Sequence, residues 1–376
     1  MSLVLLIGAG LMARSFINLS SVNPGFNTTN VVVAELTLPE RKYAGPDQAR
    51  RFTNSVLQQL SSLEDVIAVG ASNVLPFSSD FTYGVAFEDQ PNVNDGDTPP
   101  VNYFAVSPRY FQALEIPLKV GRVFTNEDVA GSLPVTIVNE TFASRFFPSE
   151  SAIGKRIRVT SGPGAWREIV GVVGDTKQQS LAGRPTAQIY EPLDQMPFSS
   201  MTFIAKTTGN PMSLARSIEK RIRNVDAEQP VAIRPLSEIV RESIFPVDVV
   251  MVFLAVFAGA ALLIASTGVY GVIAYSVSKR TGEMGLRMAL GADRSRLLTV
   301  VLRQCMFPVF IGFTVGITVA LALTRVLRGL LFQTSATDVP TYVGTAAILM
   351  AVFLLACYIP VRRALRVDPM VALRHE

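Results

Sequence analysis

The chain has 376 residues and a formal net charge of +4, from 34 Lys and Arg against 30 Asp and Glu. Residues 18–248 hold 21 Lys and Arg against 25 Asp and Glu, so the excess positive charge lies in the remaining, more apolar parts. This distribution argues against a basic nucleic-acid-binding domain, and we expect no nucleic-acid partner. His375 is the only histidine, which excludes a His-based catalytic triad and a multi-His metal site. We therefore expect no catalytic residue, no cofactor and no metal, and we do not expect an enzyme.

The first predicted element is a short apolar helix at the N-terminus. Residues 3–13 cover about 16 Å before Arg14, roughly half of the hydrocarbon core of a bilayer. No basic region precedes this run, as it would in a signal peptide. We interpret residues 1–17 as a partial first transmembrane helix, and we expect the chain to be truncated at its N-terminus.

Residues 18–244 are numerous enough for one or two folded cores and show the same order of elements twice. In each copy, a β-rich segment is followed by a helix with an apolar stripe and then by a second β-rich segment. Two such halves can pair into one α+β subdomain, with the residues between them inserted. The first copy is predicted at 31–38, 46–63 and 66–74, and the second at 201–206, 211–225 and 230–233.

The stretch between the two copies is predicted to be mostly β. A turn-rich connector at 89–100 marks its beginning. We therefore assign 25–98 and 196–244 to the first subdomain and 99–195 to an inserted subdomain. Short strands are predicted at 135–138, 155–159, 168–173 and 188–190, and short helices at 108–114 and 140–146.

Three apolar runs without a formal charge follow, at 249–275, 305–324 and 341–359. Roughly 20 apolar residues in a helix cross the ~30 Å hydrocarbon core of a bilayer. The alternative is a set of buried helices in a large soluble domain, but three such runs in close succession are typical of a membrane protein. Residues 245–376 are therefore predicted to form a transmembrane helical bundle.

Positive charges orient this bundle. Lys and Arg are concentrated between the first two spans and after the last one, whereas residues 333–340 have neither. Because cytoplasmic loops carry the excess of Lys and Arg, we predict that these two segments are cytoplasmic and that 18–244 is extracytoplasmic. The charges are Lys279, Arg280, Arg287, Arg294, Arg296 and Arg303 in the loop, and Arg362, Arg363, Arg366 and Arg374 in the tail.

The loop after the first of these spans contains a predicted short helix at 279–290. Glu283 and Arg287 are spaced to form a favourable i, i+4 pair, and Gly291 is placed to end the helix. Met284 and Met288 share one face, which suits an adaptable contact surface. An amphipathic helix resting on anionic lipid is the alternative.

The second of these spans contains Gly312 and Gly316, a small-xxx-small pair. Such pairs let helix backbones approach closely, so we predict that this face packs against a neighbouring helix. The alternative is that glycine is simply common in membrane helices.

Several segments carry a resemblance to a known family. The junction SKRTGEMGLRMALGA resembles the signature after the second transmembrane helix of MacB/FtsX-type permeases of ABC transporters. The ending YIPVRRALRVDPMVALRHE is similar to the end of those proteins, especially the MacB-like permeases of the duplicated, ATPase-less type. NPGFNTTNVVVAELTLP and PVTIVNETFASRFFPSESAIGKRIRV extend the similarity over nearly the whole chain.

The resemblance implies four transmembrane helices in the bacterial inner membrane, with an extracytoplasmic domain between the first and second. In this domain, a porter-like subdomain is interrupted by another. The resemblance also implies a coupling helix that docks on a cytoplasmic ATPase. Gly282 departs from the pattern, because relatives commonly have Arg or Lys there. The coupling helix corresponds to Glu283, Met284, Gly285, Leu286, Arg287, Met288, Ala289 and Leu290.

The function implied is that of a non-catalytic permease subunit that transmits ATP-driven movement across the membrane for efflux or export. Its expected partners are a cytoplasmic ABC ATPase, membrane lipid, a second permease copy in a dimer and a periplasmic adaptor. Two alternatives stay open. One is an FtsX-like regulatory scaffold that activates a cell-envelope enzyme, and the other is an orphan membrane sensor without an ATPase.

Overall fold

A computed structural model describes residues 2–75, 77, 81–89, 98–160, 164–177, 180–196, 198–279, 310–325, 334–335 and 337–364. The chain divides into two compact units. Val22–Ser243 forms the first, here called the α/β unit, and Met1–Ser21 with Ile244–Glu376 forms the second, here called the helical unit.

The α/β unit contains eleven described strands and four α-helices. The strands are β1 (Val31–Thr37), β2 (Val66–Ser72), β3 (Thr82–Phe87), β4 (Pro100–Val106), β5 (Leu118–Gly121), β6 (Val135–Asn139), β7 (Arg156–Val159), β8 (Arg167–Val173), β9 (Gln188–Pro192), β10 (Ser200–Thr207) and β11 (Ala232–Pro235). The helices are α2 (Pro46–Ser61), α3 (Tyr110–Ala113), α4 (Glu140–Phe146) and α5 (Ala215–Val225).

The two predicted strand–helix–strand copies interleave in one sheet. Four strands lie in the order β11-β1-β10-β2, and each neighbouring pair is antiparallel. β1 and β2 are therefore parallel with β10 between them, and β10 and β11 are parallel with β1 between them. The predicted α+β fold with split βαβ halves is confirmed. The second copy differs in detail, because Pro211–Leu214 is a 3-10 turn before α5 and the last strand is β11, two residues later than predicted.

The strands inserted between β2 and β10 continue the same sheet. They follow in the order β4-β3-β7-β8-β6-β9, and β5 pairs with β8. Ser72 opposite Val106 joins β2 to β4. The sequence predicted β6, β7, β8 and β9 but missed β3, β4 and β5. β3 lies within 25–98, yet it pairs with β4 and β7.

Both faces of the sheet carry a core. Along β1, Val32 and Ala34 face the helices α2 and α5, whereas Val31 and Val33 face the opposite cluster around Tyr110. This double burial explains the continuous apolar run of the strand, which does not alternate. On the second face, a Cβ on Gly70 would lie 2.6 Å from the Cα of Tyr110, so glycine at this position lets α3 pack directly on β2.

The helical unit contains α1 (Ser2–Ser20), most of α6 (Leu236–Lys279), α7 (Phe310–Arg325) and α8 (Val339–Ala364). By length and composition, Ser2–Ser20, Met251–Val272 and Val339–Ala356 can cross a membrane, and Phe310–Arg325 is a shorter apolar helix. The predicted start of the second span, at 305, lies outside the described residues.

The first helix extends to Ser20, three residues beyond the predicted boundary at residue 17. α1 has 19 residues and is long and apolar enough to span a bilayer. The sequence argument ended the apolar run at Arg14, because an unpaired charge in hydrocarbon is costly. In the structure, Arg14 lies within the helix and its guanidinium is paired with Asp338.

Candidate functional site

The predicted coupling helix lies outside the described residues. The structure describes α6 to Lys279 and resumes at Phe310. Glu283, Met284, Gly285, Leu286, Arg287, Met288, Ala289 and Leu290 all fall between these points, so their docking role stays a prediction.

The described part of the helical unit is organised around α1. Leu3, Ile7 and Leu11 recur every four residues along one face of α1 and are buried. They form a cluster with Ala320 of α7 and Leu349 of α8. α1 is thus the common neighbour of α7 and α8, a role that the sequence analysis did not assign.

The two predicted packing glycines of α7 have different surroundings. A Cβ on Gly316 would lie 2.8 Å from Cδ2 and 3.4 Å from Cβ of Leu3, so α1 approaches α7 closely there. A Cβ on Gly312 would have no described atom within 4 Å. Among the described helices, α1 packs against this face of α7, and the close contact is at Gly316.

A second close approach joins α1 to α8. A Cβ on Gly10 would lie 2.8 Å from Cγ2 of Thr341 and 3.4 Å from Cγ2 of Thr345. Small residues at membrane helix interfaces allow this kind of packing. The sequence analysis missed Gly10, although the small residues Gly8, Ala9 and Gly10 interrupt the larger apolar side chains of α1 and could have indicated an interface.

Beyond Gly10, polar contacts join α1 to the chain just before α8. Arg14 Nη1 donates to Asp338 Oδ2 at 2.8 Å, and Asn18 Nδ2 donates to Thr334 Oγ1 at 3.2 Å. Asp338 Oδ2 also accepts from the backbone N of Thr341 at 3.1 Å and from its hydroxyl at 2.6 Å, so the carboxylate caps the first turn of α8. The hydrogen bonds from Thr341 and the nearby Arg14 charge hold the pKa of Asp338 below its ordinary value.

The span of α6 presents apolar side chains on most of its circumference. Phe253, Phe257, Ile264 and Val272 are all more than half exposed, and Ala258 is buried. An apolar surface of this kind suits lipid or further helices.

The other end of α6 belongs to the α/β unit. Leu236 and Ile239 are buried in the cluster around Tyr110. Arg234 of β11 contacts the carboxylates of Glu238 and Glu242 in the first two turns of α6. Core packing and charge pairing therefore both fix the start of α6 to the α/β unit.

The described residues offer no arrangement for metal chemistry, since no group of three or more His, Cys, Asp or Glu is placed to hold an ion there. The α/β unit has a cleft of about 760 Å³ beside Phe111 and Phe124, and another of about 490 Å³ beside Asn27 and Asp175. Neither contains a residue that the sequence analysis had selected.

Comparison with known proteins gives the family. The profile of the MacB-like periplasmic core domain matches residues 1–223, and the profile of the FtsX-like permease C-terminal domain matches residues 255–369. The chain belongs to the MacB/FtsX permease family. This is a family of ABC transporter permease components, and most of the α/β unit lies within the match to its periplasmic core domain.

Two relatives illustrate the range of the family. The chain is 22% identical to the uncharacterized ABC transporter permease YknZ of Bacillus subtilis strain 168, over 100% of this chain and 92% of YknZ. It is 28% identical to the macrolide export ATP-binding/permease protein MacB of Rhodopirellula baltica, over 69% of this chain. The chain spans 43% of that MacB protein.

Solved structures of the same family are also similar. The periplasmic region of MacB from Actinobacillus actinomycetemcomitans matches 58% of this chain and 94% of its own, at 16% identity and a TM-score of 0.40. The extracellular domain of the noncanonic ABC-type transporter YknZ from Gram-positive bacteria matches 55% of this chain and 98% of its own, at 14% identity and a TM-score of 0.36.

Proposed function

We propose that this chain is the permease subunit of a MacB-type ABC transporter. It transmits ATP-driven conformational change from a cytoplasmic ATPase to its extracytoplasmic domain and thereby drives efflux or export. The observation that supports this most directly is the order of the two family matches, a periplasmic core domain at 1–223 and an FtsX-like permease domain at 255–369. Together they account for both compact units.

The continuity of α6 supports a mechanical role. Its 44 residues correspond to about 66 Å of helix, roughly twice the thickness of the hydrocarbon core. Leu236 and Ile239 anchor its beginning in the core of the α/β unit, and Lys279 at its end lies just before the proposed coupling helix at 283–290. A hydrogen-bonded helix that starts in one core and crosses a bilayer is suited to carry a displacement.

The proposed arrangement is a multi-pass protein of the bacterial inner membrane. The loop from Lys279 to Arg303 and the tail after Pro360 lie in the cytoplasm, in keeping with their Lys and Arg content. The ATPase docks on the helix at 283–290, and the exposed apolar face of α6 contacts lipid and a second copy of the permease. A periplasmic adaptor completes the assembly.

The decisive experiment reconstitutes the tagged full chain in nanodiscs with the cytoplasmic ATPase that copurifies with it. The permease should stimulate ATP hydrolysis, and Met288→Glu should reduce this stimulation about tenfold, because an acidic side chain would be buried unpaired in an apolar docking contact. Arg294→Glu, in the same loop beyond Gly291, is the matched control and should leave the stimulation largely intact.

Two results would contradict the proposal. Unchanged stimulation in Met288→Glu would indicate that 283–290 rests on lipid, which tolerates such a change. Failure of any ATPase to copurify would favour an orphan membrane sensor without an ATPase. Copurification of a cell-envelope hydrolase would favour the FtsX-like regulatory scaffold.

A further inference from the structure

The segment that connects α1 to β1, residues 22–30, crosses the inserted part of the α/β unit (residues 99–195) before it enters the sheet. We call this segment the strap. Pro24 O accepts from Lys177 N at 2.8 Å, and Asn27 N donates to Leu114 O at 2.8 Å. Phe26 is buried in the same cluster as Tyr110. The strap is therefore bonded to the inserted part at two separate points.

Gly25 makes the closest approach along the strap. Its φ is +86°, and a Cβ there would lie 2.0 Å from the carbonyl oxygen of Asp175. Any larger residue would clash with backbone and would also be strained in this left-handed conformation. The backbone of the strap thus lies directly on the chain just after β8.

Glu115 joins three segments. Its Oε2 accepts from Asn27 Nδ2 of the strap at 2.6 Å, and its Oε1 lies 2.8 Å from Lys206 Nζ of β10. Glu115 itself belongs to the inserted part and has a left-handed backbone, with φ of 55°. The hydrogen bonds from Asn27 and Lys206 hold the pKa of Glu115 below its ordinary value, so the carboxylate is ionised at neutral pH.

The strap and the inserted part also line the cleft of about 490 Å³. Its charged side chains already have partners within the chain. Lys119 lies 3.3 Å from Glu140, and Asp175 accepts from the backbone N and the hydroxyl of Thr141 at 2.8 and 2.7 Å. Paired charges suit a permanent joint between two segments better than a site for a polar ligand.

We propose that the strap is a fixed joint between the inserted part and the chain that leaves α1. Gly25 and the contacts of Asn27 and Lys206 with Glu115 hold this joint together. This inference rests on the proposed role of the permease in transmitting movement. The hydrogen bonds of the strap and those of the inserted part near Glu115 break and re-form together. A displacement of the inserted part therefore reaches the end of α1 through a short segment of chain. Lys206 ties β10 to the same joint.

The joint can be tested by hydrogen exchange on the full chain in nanodiscs of phosphatidylethanolamine and phosphatidylglycerol, without any ATPase. Glu115→Ala should accelerate exchange about tenfold in peptides covering the strap and, by the same factor, in peptides covering Leu114 to Pro117, because charge-assisted hydrogen bonds are lost. The exchange rate of peptides covering β6 should be unchanged. Glu140→Ala, which breaks the neighbouring ion pair with Lys119, is the matched control and should not accelerate exchange in the strap.

Glu115→Gln provides a second variant in case Glu115→Ala fails to fold. It keeps a side-chain oxygen for Asn27 but loses the charge that pairs with Lys206, so a smaller, parallel increase is expected. Unchanged exchange in the strap, or an increase in the strap without one near Leu114, would overturn the joint. Because no ATPase takes part, this outcome is distinct from a failure of the proposed function.

Discussion

Arg14 in the C-terminal half of the first helix and Asp338 just before the last helix form an ion pair, with 2.8 Å between Nη1 and Oδ2. The Asp338 side chain is 14% exposed and the Arg14 side chain 45% exposed, so the pair is only partly shielded from solvent. Asp338 simultaneously caps α8 through Thr341. One carboxylate thus starts the last helix and fixes α1 beside it.

The Arg14–Asp338 pair should contribute modestly to the stability of the helical unit. Asp338→Asn keeps an oxygen that can cap Thr341 but removes the charge, so it isolates the ion pair from the cap. We expect each of Arg14→Ala and Asp338→Asn to lower the free energy of unfolding, with a coupling of about 0.5–1 kcal/mol between them. Thermal unfolding of both single variants and the double variant in nanodiscs measures this coupling. Strictly additive effects would show that the pair contributes nothing.

The two glycines of α7 should respond differently to substitution. Gly316→Leu places a large side chain against Leu3 and should separate α1 from α7, whereas Gly316→Ala needs only a small shift of the flexible Leu3 side chain. Gly312→Leu is the matched control, since no described atom lies near its Cβ position. Disulfide trapping between cysteines introduced at Ile7 and Ala320, which lie in the same buried cluster, should fall sharply in Gly316→Leu. Equal loss in Gly312→Leu would point to another helix packing on that face.

A buried ion pair in the inserted part should be far more important for stability than exposed ones. Arg167 Nε lies 2.7 Å from Glu191 Oε1, with 8% and 2% of the side chains exposed, and Tyr103 donates to the other oxygen at 3.0 Å. Arg167→Ala leaves a buried carboxylate unpaired and should cost about 3–5 kcal/mol. Arg156→Ala removes a half-exposed partner of Glu88 and should cost less than about 1 kcal/mol. The fluorescence of Trp166, the single tryptophan, reports unfolding of the α/β unit, and similar costs for both variants would contradict the prediction.

Acid should weaken the α/β unit through Asp226. Lys42 Nζ and the Tyr43 hydroxyl donate to its carboxylate at 2.7 and 2.8 Å, and the hydrogen bond from Lys42, followed by that from Tyr43, holds the pKa of Asp226 below its ordinary value. The stabilisation is therefore present above the unfolded-state pKa of about 3.9 and is lost as the pH falls below it. Unfolding free energies of wild type and Asp226→Asn should differ at pH 7 and converge near the acid limit. A constant difference across this range would exclude ionisation as the cause.

The topology can be checked by labelling. We consider single cysteines at Ser132 and Ser278 in a background without Cys305 and Cys357. The cysteine at 132 should react with a membrane-impermeant maleimide outside the cytoplasmic membrane, whereas the cysteine at 278 should react only after this membrane is permeabilised. The reason is the concentration of Lys and Arg after Ser278. Labelling of both positions from the same side would refute the proposed orientation.

Much of the fold followed from local sequence patterns. The helix α4 and the strands β1, β2, β6, β8 and β10 were predicted within two residues, because apolar periodicity and turn residues act over short distances. The strands β3, β4 and β5 were missed. In β5, for example, all four residues are exposed, so the strand owes its existence to pairing with the distant β8 and has no apolar pattern of its own.

The sequence by itself determined the apolar spans, their orientation signal, the paired strand–helix–strand copies and the family, since each depends on composition or on residues close together in the chain. The tertiary structure alone decided the order of the strands, the packing of α1 against both α7 and α8, and the contacts of Arg14, Gly10 and Glu115. Arg14 and Asp338 are 324 residues apart, and Asn27 and Glu115 are 88 apart. No local pattern encodes such pairs, because their approach depends on the path of the whole chain between them.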